Sequence, residues 1–150
     1  MAKAFPLQVL LDHARHRMEA AERLLRILKK REDAARARLD ELGGFKREYQ
    51  QRLTGSGARG MEIHLLRDFH VFLGKLDLAI RQQGEEVDKA QAHWRSAQDS
   101  WFELRAKVKA YETLASRHQA RELAREEKRD QRQTDETALR RHLHAEGPLK

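Results

Sequence analysis

The sequence predicts an all-α protein, an antiparallel two-helix coiled-coil hairpin with the C-terminal helix projecting beyond the paired region. Three observations carry this expectation. Of the 150 residues, 37% are charged and 39% hydrophobic, whereas globular domains run at about 25% and 45–50%, so the chain is too charged to close an ordinary compact core. Its two prolines, Pro6 and Pro148, bracket a proline-free stretch. Within that stretch apolar residues recur every three and four positions on both sides of one dense cluster of turn formers, the pattern of a left-handed coiled coil.

The first helix is expected over about 7–53. Its seam runs Leu7, Leu11, Ala14, Met18, Ala21, Leu25, Leu28, Glu32, Ala35, Leu39, Leu42, Lys46, Tyr49, Leu53, broken only by Glu32 and Lys46. Gly43 and Gly44 lie inside it, each costing about 1 kcal/mol relative to alanine. They are either a weak point that packing tolerates or a kink that shapes the hairpin tip. The leucines at 10, 11, 24, 25 and 28 widen the apolar stripe toward the amino end, which suggests packing beyond a two-stranded seam or a second copy.

Residues 54–60, Thr-Gly-Ser-Gly-Ala-Arg-Gly, are the one expected turn. The second helix is expected over about 61–144, with the seam Leu66, Phe69, Leu73, Leu76, Ile80, Gln83, Val87, Ala90, Trp94, Ala97, Trp101, Leu104, Val108, Tyr111, Ala115, in which Gln83 is the sole exception. A short turn places Leu53 near Leu66, so paired residue numbers should add to about 119. Leu7 then falls opposite about position 112, close to where the second seam loses its apolar character. The shared arm would be about 70 Å long at about 1.5 Å per residue. From about 116 the helix should overhang, and residues 117–135 alternate in sign with only a thin apolar line through Leu114, Ala120, Leu123 and Ala124. Such a segment either frays or is covered by a partner.

The net charge of +7 is concentrated on the first helix, where residues 7–53 hold 12 basic and 8 acidic side chains. Acidic neighbours such as Glu19, Glu22, Asp33 and Asp40 interrupt the stripe Arg23, Arg26, Lys30, and no aromatics are interleaved as a base-stacking platform requires, so no specific nucleic acid is expected. The absence of cysteine removes disulfides and thiolate zinc sites and fits a reducing compartment. No apolar run approaches the roughly 20 residues needed to span a bilayer. The opening residues lead into a charged helix and not a signal-peptide core. The expected location is the cytoplasm.

Little points to chemistry. No phosphate loop, nucleophile elbow or paired-histidine metalloprotease motif is present. His13 and His16 share a helix face, but a catalytic zinc needs three ligands. Carboxylate pairs such as Glu85-Glu86 and Glu126-Glu127 would have no cleft to desolvate them on a two-helix arm. No catalytic residue, metal or cofactor is expected, and the chain is read as a non-enzyme. What stands out is apolar surface off the seam. Phe45, Phe72, Leu78 and Ala79, with Leu42, Tyr49 and Leu76 at its edge, form a candidate patch near the tip, either a partner site or a broadened seam.

The ordered set Phe5-x-Leu7-x-x-Leu10-Leu11, Leu42-x-x-Phe45-x-x-x-Tyr49, Phe69-x-x-Phe72-Leu73-x-x-Leu76-x-x-Ala79-Ile80-x-x-Gln83, Trp101, Leu114 and Arg125-x-x-Lys128-x-x-x-x-x-x-Asp135-Glu136-x-Ala138 resembles the flagellar type III export protein FliJ family over nearly the whole chain. The resemblance implies a stalk-like coiled coil that binds the hexameric export ATPase, docks on the export-gate membrane protein FlhA and escorts export chaperones. It would reach the inner face of the cytoplasmic membrane peripherally, through those partners. It maps the gate contact to Leu42, Phe45, Tyr49, Phe72, Leu76, Ala79 and Gln83. It maps the ATPase contact to Leu7, Leu10, Leu11, Leu114, Leu123, Lys128, Asp135 and Glu136. The rival readings are an injectisome stalk protein of the same design and a basic coiled-coil arm that binds RNA.

Overall fold

A computed structural model describes residues 3–57, 60 and 62–146. Among them are two α-helices, α1 (Gln8–Arg52) and α2 (Ile63–Ala145), joined through a π-helical turn at Leu53–Gly57, with no strand. Pro6 fixes the entry to α1, whose Gln8 N–H donates to the Phe5 carbonyl at 3.2 Å. At its far end the Thr54 hydroxyl donates to the Gln50 carbonyl at 3.0 Å, satisfying a group that the helix itself leaves open. α1 runs through Gly43 and Gly44 without interruption, and neither glycine has a positive φ. Here the glycines are tolerated inside a packed helix.

Contacts cluster in two units, Glu19–Glu103 and a second made of Met1–Met18 with Leu104–Lys150. In Glu19–Glu103, α1 and the first half of α2 pack side by side, and the seam residues are the ones withdrawn from solvent. From Ala21 to Leu53 every seam position is at least half-buried, Glu32 and Lys46 included; from Leu66 to Trp101 the same holds, Gln83 included. Leu76 and Val87 are buried outright. Gln83 earns its place by donating its Nε2–H to the Ala35 carbonyl at 3.0 Å. Glu32 is only 2% exposed, and its carboxylate is neutralised within α1 by Arg36 at 2.9 Å and Lys29 at 3.4 Å. A buried carboxylate is tolerated when it is paired in this way.

In the second unit Leu11, Ala14 and Val108 form a buried cluster, flanked by Met18, Tyr111 and Ala115. The non-helical residues before α1 extend it. The Lys3 backbone N–H donates to Glu122 Oε2 at 3.3 Å, His118 Nε2 lies 2.8 Å from the Lys3 carbonyl oxygen, and the Phe5 ring sits 5.7 Å from the His118 ring. Residues 3–5 thus form a strap over α2, and the covered face continues through His118 to Glu122, past the 116 at which the overhang was expected to begin. Beyond it, residues 127–145 are helical and exposed. Local pairs such as Gln131–Asp135 and Thr134 to the Asp130 carbonyl accompany that helix.

The register differs from the expected one. Gln83 meets Ala35, Tyr49 meets Phe69 and Phe72, Asp77 meets Lys46, Trp94 meets Lys29 and Trp101 meets Glu22, so paired numbers centre on about 121 in this unit. In the other unit Arg15–Glu112 and the strap contacts centre slightly higher, at about 124. Gln83–Ala35 and Tyr49–Phe69 stay within one of the expected value, and the offset comes from pairs made by long side chains, Lys46, Lys29 and Trp101, which reach along the helices to their partners.

Candidate partner-binding surface

The seam gives each position a heptad letter, with Leu11 and Leu66 as a, Ala14 and Phe69 as d. In an antiparallel pair the e positions of the two helices share one flank and the g positions the other. The two flanks are built differently.

The e flank is occupied. In Glu19–Glu103, Lys46 pairs with Asp77, the Trp101 indole N–H donates to Glu22 Oε1 at 3.2 Å, and the Lys29 ammonium stands 4.8 Å from the Trp94 ring centre. In the other unit Arg15 pairs with Glu112 at 3.3 Å. Each links α1 to α2 and covers the seam from that side.

The g flank is open. In Glu19–Glu103 it carries Leu24, Phe45, Phe72 and the half-buried Ala79, and the exposures of the first three are 50%, 44% and 42%. Tyr49 packs at its inner edge, 5.7 Å from Phe69 and 4.8 Å from Phe72 between ring centres, with the Arg52 guanidinium 5.7 Å from its own ring. In the other unit, taken by itself, Leu10 and Leu114 are exposed at g positions. Because an exposed aromatic pays its hydration cost until something covers it, this flank is where binding energy is available.

The residues mapped to the gate contact therefore separate by position. Phe45 and Phe72 face solvent; Leu42, Tyr49 and Ala79 are half-buried beside them. Leu76 is buried in the seam, and Gln83 is committed to the Ala35 carbonyl. Leu78, also read as part of the patch, is exposed at an f position, away from the g flank. Of the residues mapped to the ATPase contact, Leu11 is buried and Leu7 half-buried, whereas Leu10, Leu114, Leu123, Lys128, Asp135 and Glu136 are exposed.

Sequence reading missed the strap. The Lys3 N–H holds the Glu122 carboxyl below its ordinary range; burial opposes this, and the charges of Arg125, His118 and Lys3 add to the lowering. Continuing the seam past Ala115 in the same steps reaches His118 and Glu122, which is the signal that could have found it. Among the described residues no group of three or more His, Cys, Asp or Glu side chains is arranged to hold a metal. No described helix is long and apolar enough to cross a membrane.

The fold is a two-helix hairpin with one flank of its seam crossed by its own side-chain pairs and the other left uncovered. Residues 3–147 match the family model described as "Flagellar FliJ protein". The chain is 28% identical over 140 residues to the flagellar FliJ protein of Escherichia coli (strain K12), covering 93% of this chain and 95% of that one, and matches the Salmonella typhi protein of the same name at the same identity and coverage. The chain belongs to the FliJ family and is a component of flagellar export. No solved structure matches it.

Proposed function

We propose that the protein is the stalk-like adaptor of the export apparatus: its open flank near the tip docks on the export-gate membrane protein FlhA, its paired ends and the helix beyond them contact the hexameric export ATPase, and it escorts export chaperones. The observation that carries this reading is the pair of exposed rings, Phe45 and Phe72, on one flank with Tyr49 between the helices. Association with the membrane would be peripheral, through the gate. The family match favours the flagellar apparatus over an injectisome. At the other end a helix inside a ring can bias nucleotide turnover only through contacts that differ between ring states, because equal contacts shift nothing.

One pair of variants tests both ends. Phe72→Asp should weaken binding to the cytosolic part of the gate protein by at least about tenfold while circular dichroism stays helical. Removal of residues 127–150 should leave gate binding intact and abolish stimulation of the cognate ATPase, read as the hydrolysis rate. Full gate affinity in Phe72→Asp would sink the gate assignment, and undiminished stimulation by the shortened chain would sink the ATPase assignment.

A further inference from the structure

We propose that the g flank of α1 from Leu24 to Phe45 is a docking track for an acidic amphipathic helix of a partner protein, laid alongside the hairpin as a third coiled-coil strand. Successive g positions read Leu24, Arg31, Arg38, Phe45, that is apolar, basic, basic, apolar, and all four are exposed. Arg31 and Arg38 form no ion pair among the described residues, whereas Lys29 and Arg36, at e positions on the other side of the same helix, are each paired. Across the groove from Arg31 stand Glu86 and His93. Glu86 is already taken by Lys89 at 3.5 Å. The flank therefore presents unspent positive charge between two apolar anchors.

That arrangement specifies its occupant. Leu24 and Phe45 lie about 31 Å apart along a helix rising about 1.5 Å per residue, with the arginines about 10.5 Å from each other. A second helix with apolar anchors at the same separation and two carboxylates at heptad spacing between them would bury both anchors and pair both guanidinium groups. A second copy on the same flank would set Arg31 and Arg38 against each other or against themselves, in either orientation. A nucleic acid would pair the arginines yet leave Leu24 and Phe45 uncovered. The inference deepens the gate reading, sharing Phe45 with it, and rests on that reading only for the identity of the partner.

The probe is a fluorescein-labelled synthetic helix of about 28 residues, long enough to span both anchors, carrying leucines to meet Leu24 and Phe45 and glutamates to meet Arg31 and Arg38. Anisotropy against the full chain should give saturable binding. The double variant Arg31→Glu, Arg38→Glu should weaken it by at least about tenfold, with binding recovered by a peptide carrying lysine in place of the glutamates and no change in Arg95→Glu. Absence of binding to the unaltered chain, an equal loss in Arg95→Glu, or tighter binding of a single-stranded RNA than of the peptide would each overturn the proposal. Against the gate protein itself, loss of affinity in Phe72→Asp but not in the double-arginine variant overturns this inference and leaves the gate reading standing. Loss only in the double-arginine variant overturns the Phe72 gate contact and supports the track.

Discussion

The two flanks of the hairpin share one heptad frame but not one composition, polar and charged at e and partly apolar at g, and they end in opposite states. On the e flank charges reach across from one helix to the other, as Lys46 does to Asp77 and Arg15 to Glu112. On the g flank Phe45 and Phe72 are uncovered and Arg31 and Arg38 are unmatched. The lesson is that helix pairing in this chain uses only part of what its sequence could spend. A coiled coil that closed both sides would bury this apolar surface and gain stability from it.

The largest expected effect contrasts neighbours. Leu11, 2% exposed, belongs to the buried cluster, and Leu10 beside it faces the open flank. Leu11→Ala should destabilise the fold by about 2–5 kcal/mol, whereas Leu10→Ala should stay within about 0.5 kcal/mol. Urea melts followed by circular dichroism measure both, and similar losses would mean that the g flank is structural after all.

A smaller effect, of opposite sign, is expected at Glu32. Its carboxylate sits in the seam and engages Arg36 and Lys29 on the e side. Glu32→Leu exchanges a buried ion for an apolar side chain that suits the seam, and the result should range from neutral to stabilising by about 1–4 kcal/mol. A lowered melting temperature would show that this ion network is worth more than the packing that replaces it.

The mildest effect concerns acid. Because the folded chain holds Glu122 below its ordinary value of 4.5, principally through the Lys3 N–H, the contribution to stability is present in full above that value and is lost as the pH falls through the lowered one. Glu122→Gln should flatten the acid limb of a stability profile and leave the slope between neutral pH and 6 unchanged. An unaltered acid limb would show that the strap contributes nothing there.

Much of this was legible in the sequence, and the missing parts have physical reasons. Periodicity found the seam down to its polar members, since helical spacing alone decides which side chains face inward; Glu32, Lys46 and Gln83 stand where the apolar rule fails and the geometry holds. The register departs from the expected one by a few residues because residue type does not tell how far along the helices a lysine or tryptophan side chain reaches, as Lys46 does to Asp77 and Trp101 to Glu22. The strap was illegible because Lys3 acts through its backbone N–H and carbonyl, which every residue possesses. At the candidate surface, Phe45 and Phe72 were found as apolar residues off the seam. Leu78 looked equivalent to them, and only the heptad frame separates the flank from the outer face.

The reach of the pairings has a kinetic consequence. Tyr49 and Phe69 are joined through a short stretch of chain, Gln83 and Ala35 are 48 residues apart, Trp101 and Glu22 are 79, and Lys3 and Glu122 are 119. Loop-closure entropy rises with the logarithm of the intervening length, and contacts far apart in sequence are slow to form from an open chain. Folding that starts near Tyr49 meets each later pairing as a short extension of one already made. Of these four pairings the one at Lys3 closes the longest loop from an open chain, and the one at Tyr49 the shortest.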